Sequence, residues 1–194
     1  MLSMNLIGLA GTNGSGKDTV GDVLSEQKNF LFVSVSDLLR DEAKKRKMPI
    51  EREVLRDISA QWRRESGLGV LVEKAVQEYN KFEGKYTGLV VASLRNPGEA
   101  DTVHDLGGKV VWVDANPKVR YDRLASRQRS SEDNKTFDEF IAEEQAEMSH
   151  QGDKATLNSS GVKEKADVFL ENDGNDIAAF KKQVLIELKD YISK

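Results

Sequence analysis

The chain has 194 residues, with 29 Lys and Arg against 33 Asp and Glu, a net charge of −4 and 38% hydrophobic residues. That length supports one domain with a real core, and the acidic balance argues against a general nucleic-acid or membrane-surface binder. The lack of cysteine excludes disulfides, thiol nucleophiles and thiolate metal sites, and no run approaches the ~18 apolar residues of a membrane span.

The chain opens on NLIGLA (5–10), an apolar run that flows into glycines without the basic segment and cleavage pattern of a signal peptide. It reads as a first strand, in a protein expected to be cytoplasmic. GTNGSGKD (11–18) follows and fits the phosphate-binding loop G-x-x-x-x-G-K-[ST] at every position but the last. Gly11, Gly14 and Gly16 permit backbone angles that let successive N–H groups turn inward, around Asn13 and Ser15. The helix starting near Lys17 adds its positive end, and Lys17 itself reaches for the outer phosphates. Val20, Val23 and Leu24 recur at helical spacing, so the motif stands between a strand and an amphipathic helix, as its mechanism requires. Asp18 departs from the motif, because a Ser or Thr usually stands there and ligates Mg²⁺. A bare carboxylate is repelled by polyphosphate unless a divalent cation lies between them. Either Asp18 faces such a cation with the Thr19 hydroxyl nearby, or Asp18 points away and Thr19 serves alone.

Four further apolar runs, FLFVSV (30–35), GLVVAS (88–93), KVVWVD (109–114) and ADVFLE (166–171), are near-continuous, as expected of parallel strands covered on both faces. Helical patterns separate them. Val54, Leu55, Ile58 and Trp62 mark one helix, stopped by Gly67; Leu71, Val72, Ala75, Val76 and Tyr79 mark the next. NPGE places Asn96 as N-cap, Pro97 at N1 and Glu99 at N3. Asn116–Pro117 does much the same, and TFDE (136–139) is another capping box. HQGDKATLNSSG (150–161) reads as a mobile loop. Ile177, Phe180, Val184, Leu185 and Leu188 mark the last helix. His104 and His150 lie far apart, without metal-ligand spacing. Strands alternating with helices give a parallel sheet with right-handed crossovers.

Arginines recur after these strands. SDLLR places Asp37 and Arg40 after strand two, and SLRN places Arg95 after strand three. In PKVRYDRLASRQR after strand four, Arg120, Arg123 and Arg127 share one helical face, with Arg129 beyond. Ligands bind at the carboxyl ends of parallel strands, so these segments converge on the glycine loop. Guanidinium forks suit phosphoryl transfer, which needs positive charge on donor, acceptor and moving phosphate. Arg120 is expected on a solvated face.

In that order and spacing the motifs resemble the nucleoside monophosphate kinase and dephospho-coenzyme A kinase group of P-loop proteins. SDLLR is similar to the Asp-x-x-Arg segment that opens the acceptor-binding helix of adenylate kinases. SLRN is similar to the segment whose arginine holds the acceptor phosphate, and RLASRQR to an arginine-bearing lid entrance. END (171–173) is similar to the loop that lies against the donor adenine, which implies that role for Asn172. GKDT resembles phage-type deoxynucleoside monophosphate kinases. The layout SDLLRDEAKKR, LRNPGEAD, RLASRQRSSED and END resembles archaeal dephospho-coenzyme A kinase-like proteins over nearly the whole chain. The resemblance implies a three-layer α/β P-loop NTPase fold in a single domain. Its five-stranded parallel sheet has the order 2-3-1-4-5, with acceptor-binding helices at about 37–80 and a lid at about 127–160. It also implies an acid at the end of strand three, where this chain has Ala92 and Ser93.

The function expected is ATP-dependent phosphoryl transfer to a small nucleotide-like acceptor, with Mg²⁺ near Asp18 and Thr19. Lys17 holds the β and γ phosphates, Arg40 and Arg95 fix the acceptor, and Arg123 and Arg127 neutralise the moving group. Asp37 is the base if the acceptor is a hydroxyl; if it is a phosphate, Asp37 orients Arg40. The alternative is a nucleotide-binding switch or assembly module without efficient transfer, for which Ala92 is the best support.

Overall fold

The computed structural model describes residues 4–82, 84–127, 135–148 and 152–192. The strands are β1 (Asn5–Gly11), β2 (Phe30–Ser34), β3 (Gly88–Ala92), β4 (Lys109–Asp114) and β5 (Val168–Glu171). All pair in parallel, in the order β2-β3-β1-β4-β5. This is the α/β P-loop topology expected. Register aligns the strand ends: Leu9 lies opposite Ala92 and Gly11 opposite Val113. Thr12, Ser93 and Asp114 therefore share one rim.

Alternation within each strand feeds two separate cores. Leu6 and Ala10 of β1, Val110 and Trp112 of β4, and Leu89 and Val91 of β3 face one side. They pack under α2 (Val35–Lys45), α4 (Val70–Asn80), α5 (Pro97–Asp105) and α8 (Ser159–Lys163). Ile7, Leu9, Val90, Val111 and Val113 face the other side, beneath α1 (Lys17–Lys28), α9 (Ile177–Glu187) and α10 (Lys189–Ile192). Burial on both faces is why these strands read as unbroken apolar runs. β5 is the exception: as an edge strand it leaves Phe169 exposed.

Three more helices stand near the carboxyl rim. α3 (Arg52–Ser66) packs on α2 and α4, while α7 (Phe137–Met148) packs on α6 (Pro117–Arg127) and α8. Helix starts follow their sequence signals. The Asn96 side chain accepts from Gly98 N–H at 2.9 Å and Glu99 returns a carboxylate to Asn96 N–H at 3.1 Å. Thr136 and Glu139 close the second box, and Asn116 Oδ1 accepts from Lys118 N–H. Strand two ends a residue early, because α2 begins at Val35 with Ser34 as its N-cap.

The described part of 150–161 is tied to the rim and ends in a helix rather than running on as a loop. Asn96 Nδ2 donates to the carbonyls of Lys154 and Thr156, Ala155 is buried, and α8 starts at Ser159 with Asn158 as a side-chain cap. Its polar residues make turn and cap hydrogen bonds. Among the described residues no helix is long and apolar enough to cross a membrane.

Candidate active site

The glycine loop joins β1 to α1 in the conformation that its composition allows. Gly11, Gly14 and Gly16 all have positive φ. Two of these positions leave no alternative. A Cβ on Gly11 would stand 2.0 Å from the Val113 carbonyl oxygen, and one on Gly16 would stand 2.5 Å from the Asn172 amide nitrogen. Lys17, the first residue of α1, is buried with its ammonium turned back onto its own loop. Nζ donates to the Thr12 carbonyl at 2.6 Å and to that of Gly11 at 3.0 Å. Ser15 Oγ donates to the same Thr12 carbonyl at 2.8 Å. Burial and the nearby Arg95 charge push the Lys17 pKa down to about 8, against a partly compensating pull from Asp18.

A cavity of about 570 Å³ opens from this loop. Asn13, Gly14, Lys17 and Asp18 form one wall; Asp37, Arg40, Arg52, Arg56, Arg95 and Glu147 are among the residues of the others. The expected Asp37, Arg40 and Arg95 thus meet Lys17 around one space. Arg95 Nη2 donates to Asn13 Oδ1 at 3.0 Å, which ties the corner after β3 to the loop tip. Arg40 donates to Asp37 at 2.6 Å on the first turn of α2, and both side chains remain substantially exposed. Asp18 is exposed and lines the cavity, whereas Thr19 is not among the lining residues.

Other expected positions differ. Arg123 does not line the cavity: Nη2 donates to the carbonyls of Asn172 at 2.8 Å and Gly174 at 2.7 Å, on the loop after β5. Its Nη1 also reaches the Gly14 carbonyl at 3.5 Å, so Arg123 joins α6 to that loop and to the glycine loop. Asn172 donates its amide to the Ser15 carbonyl at 2.8 Å, so END braces the glycine loop. Arg120 was expected in solvent but is 2% exposed. Its Nε donates to the Ala115 carbonyl at 2.7 Å and its other nitrogens pair with Glu144 of α7. Counting helical faces on α6 did not reveal that α7 covers this one. The side chain of Arg127, with Arg129 and His150, lies outside the described residues, as do residues 128–134 and 149–151 of the expected lid.

Several residues at this site were not singled out by sequence reasoning. Arg56 of α3 joins the cavity wall. Arg63, on the same helix, forms a buried pair with Glu99, Nη2 to Oε1 at 2.7 Å. Glu99 Oε2 also accepts from Arg95 N–H at 2.7 Å, so the buried pair holds the backbone of the β3 corner. Asp114, ending β4, accepts from Thr12 Oγ1 at 2.7 Å. Three acids of α7, in AEEQAEM (142–148), pair with basic residues of other segments. Glu143 binds Arg52 and Lys135, Glu144 binds Arg120, and Glu147 binds Arg56 and Arg95. Acids spaced i, i+1 and i+4 on a helix behind a capping box were the available signal.

A nucleotide-type phosphate loop on a 2-3-1-4-5 parallel sheet, opening onto an arginine-lined cavity, defines a P-loop protein with the fold of small-molecule kinases. A family model described as "AAA domain" matches residues 7–148. A UPF0200 protein of Pyrococcus furiosus is 34% identical over 144 residues, 72% of this chain and 76% of that one. A UPF0200 protein of Pyrobaculum aerophilum is 26% identical over 191 residues, 96% of this chain and 99% of that one. The chain belongs to the AAA-domain family and to the UPF0200 proteins. Among solved structures, shikimate kinase of Bacteroides thetaiotaomicron superposes with a TM-score of 0.57 at 16% identity, covering 95% of this chain and 98% of that one. A Thermus thermophilus protein superposes at 0.58 with 20% identity, covering 94% and 97%. The likeness to nucleoside monophosphate and dephospho-coenzyme A kinases is met at the level of this shared P-loop kinase fold.

Proposed function

We propose that the protein transfers a phosphoryl group from ATP to a small anionic, nucleotide-like acceptor held in the arginine-lined cavity, in the cytoplasm. The observation that carries this reading is the single cavity of about 570 Å³ shared by the glycine loop and by arginines from α2, α3 and the β3 corner. A binding module needs only the first; transfer needs both on one space.

The residues fit a polyphosphate. Lys17 is desolvated, and its amino group is committed to carbonyls that a phosphate oxygen replaces at a gain. The loop amides at the N-terminus of α1 favour anions. For Mg²⁺ the fit is partial. Among the described residues no group of three or more His, Asp or Glu could hold a metal. A divalent ion would take Asp18 together with phosphate and water oxygens. It would supply charge neutralisation between donor phosphates and the carboxylate.

Within this reading Lys17 and the loop amides orient the donor. Arg95 and Arg56 hold the acceptor's anionic group, with Arg40 at the cavity's outer edge. Asp37, ion-paired to Arg40 at 2.6 Å, orients it. A phosphate acceptor needs no strong base, so no step depends on Asp37 taking a proton.

Ala92 and Ser93 offer no carboxylate at the end of β3, which favours a second reading: a nucleotide-binding switch without efficient transfer. Coupled ADP release across nucleoside monophosphates, deoxynucleoside monophosphates and dephospho-coenzyme A separates the two. Acceptor-dependent release supports the kinase; ATP binding with release that ignores every acceptor supports the switch.

A further inference from the structure

One carboxylate on the acceptor wall has no part in the transfer just described. Glu147 of α7 is 11% exposed and divides its oxygens between two guanidiniums. Oε1 accepts from Arg56 Nη2 at 2.8 Å and Oε2 accepts from Arg95 Nη1. Burial would raise its pKa, but the Arg95 and Arg56 charges outweigh burial and hold it below the usual carboxylate range. One carboxylate bridging two guanidiniums inside a cavity is the arrangement by which arginines bind a phosphate.

The surroundings make that ion pair the exchangeable one. Arg95 N–H and Asn96 N–H both donate to Glu99, which the buried Arg63 fixes in turn. The second terminal nitrogen of Arg95 is on Asn13, a neutral partner. α7 is attached independently, through Glu143 to Arg52 of α3 and through Glu144 to Arg120 of α6. Glu147 can therefore leave the arginines without the helix leaving the fold.

We propose that Glu147 is a specificity-determining residue: an internal stand-in for the acceptor's anionic group, which an acceptor must displace to reach Arg95 and Arg56. This rests on the acceptor-cavity reading given above. The chain supplies its own carboxylate at high effective concentration, so a free monocarboxylate exchanges like for like and does not compete. A phosphate dianion brings a second charge and a third oxygen to the same two forks and does compete. Glu147 thereby restricts acceptors to those carrying a phosphate-type dianion. Affinity for any such anion is reduced by the fraction of molecules in which Glu147 occupies the arginines.

The test is binding of inorganic orthophosphate, and separately of acetate, with the glycine loop kept filled by saturating Mg²⁺ and a non-hydrolysable ATP analogue. Glu147→Gln is expected to bind orthophosphate about tenfold more tightly than the parent and to gain measurable acetate binding. Glu147→Asp, one methylene too short to bridge both guanidiniums, is expected to gain part of this and carries the test should the Gln variant not fold. Arg95→Ala is expected to lose orthophosphate binding in either background. If neither Glu147 variant binds more tightly while Arg95→Ala still weakens binding, the stand-in is overturned and the acceptor cavity stands. If Arg95→Ala changes nothing, the acceptor reading itself fails.

Discussion

Thr12 and Asp114 join the ends of the two central strands through one hydrogen bond of 2.7 Å, Oγ1 to Oδ1. Asp114 also accepts from Ala115 N–H at 2.9 Å and from Trp112 Nε1 at 3.3 Å. Burial would raise its pKa; these donors and the Arg120 charge together keep it lowered, so it stays an acceptor. The carbonyl of the same Thr12 receives Lys17 Nζ and Ser15 Oγ. Asp114 thus fixes the residue on which the resting glycine loop is folded.

Removing that anchor loosens the loop without touching phosphate. Asp114→Ala is expected to weaken ATP-analogue binding about tenfold, roughly 1.4 kcal/mol, and Thr12→Val to do nearly the same. The double variant is expected to be little worse than Asp114→Ala, which already removes the Thr12 bond together with those from Ala115 and Trp112. Calorimetric titration of all three checks this; full additivity would mean the two side chains act separately.

Lys17 makes nucleotide binding proton-linked. Its pKa of about 8 lies below the ordinary value of 10.5 because of burial and Arg95. A polyphosphate partner favours the charged form and raises it again. Above pH 8 the free protein has lost the proton that the complex keeps, so binding takes up a proton and affinity falls as pH rises. Below about pH 7 Lys17 is charged in both states and this linkage vanishes. For folding the sign is opposite. Between pH 8 and 10.5 the unfolded chain binds more protons than the folded one, so Lys17's contribution to stability rises with pH there. Titration in two buffers of different ionisation enthalpy measures the uptake, and Lys17→Met is expected to abolish it.

The pair of Arg63 and Glu99 is nearly inaccessible, at 2% and 0% side-chain exposure. Glu99 also accepts from Arg95 N–H and Asn96 N–H, so its loss strands a buried cation and two backbone donors. Glu99→Ala is expected to cost about 3–5 kcal/mol of stability, the range for breaking one side of a buried pair. Arg63→Met leaves the two backbone donors satisfied and is expected to cost less. Denaturant unfolding ranks the two; the reverse order would show that Arg63 carries more of the corner than its partner.

How legible this was in the sequence depends on how local each signal is. The strands, the glycine loop and the caps at Asn96 and Thr136 were readable because each is set by residues a few positions apart; the strand order rests on pairings such as Ile7 with Lys109 and was expected only from the resemblance. Arg95 was readable as a strand-to-helix corner; Arg40 lies six residues into α2 rather than at its corner, yet lines the same cavity. Arg120 was misplaced because its burial depends on Glu144, on a helix that a single-helix count does not bring near. Glu99 was readable as a cap, but not as the partner of Arg63, 36 residues away. Asp114 and Glu147 followed the same rule: each has ordinary local sequence and acts only through a partner the fold supplies.

Asp18 stands where a hydroxyl residue is usual, exposed on the cavity wall beside the buried Lys17. Thr19, the nearest hydroxyl in sequence, does not line that cavity. The carboxylate's effect on a nucleotide must then change sign with the metal. Without Mg²⁺ it faces polyphosphate charge directly and repels it. With Mg²⁺ between them it holds the cation, directly or through water, and the interaction becomes attractive. Asp18→Ala is therefore expected to tighten metal-free ATP binding and to weaken binding with Mg²⁺, reducing the Mg²⁺ enhancement of affinity about tenfold or more. Asp18→Ser, which restores the usual hydroxyl, is expected to regain most of that enhancement, because a hydroxyl ligates the ion without the metal-free repulsion. Titrations of both variants with and without Mg²⁺ decide the matter. An enhancement that Asp18→Ala leaves unchanged would remove Asp18 from the metal's surroundings and assign it to solvent.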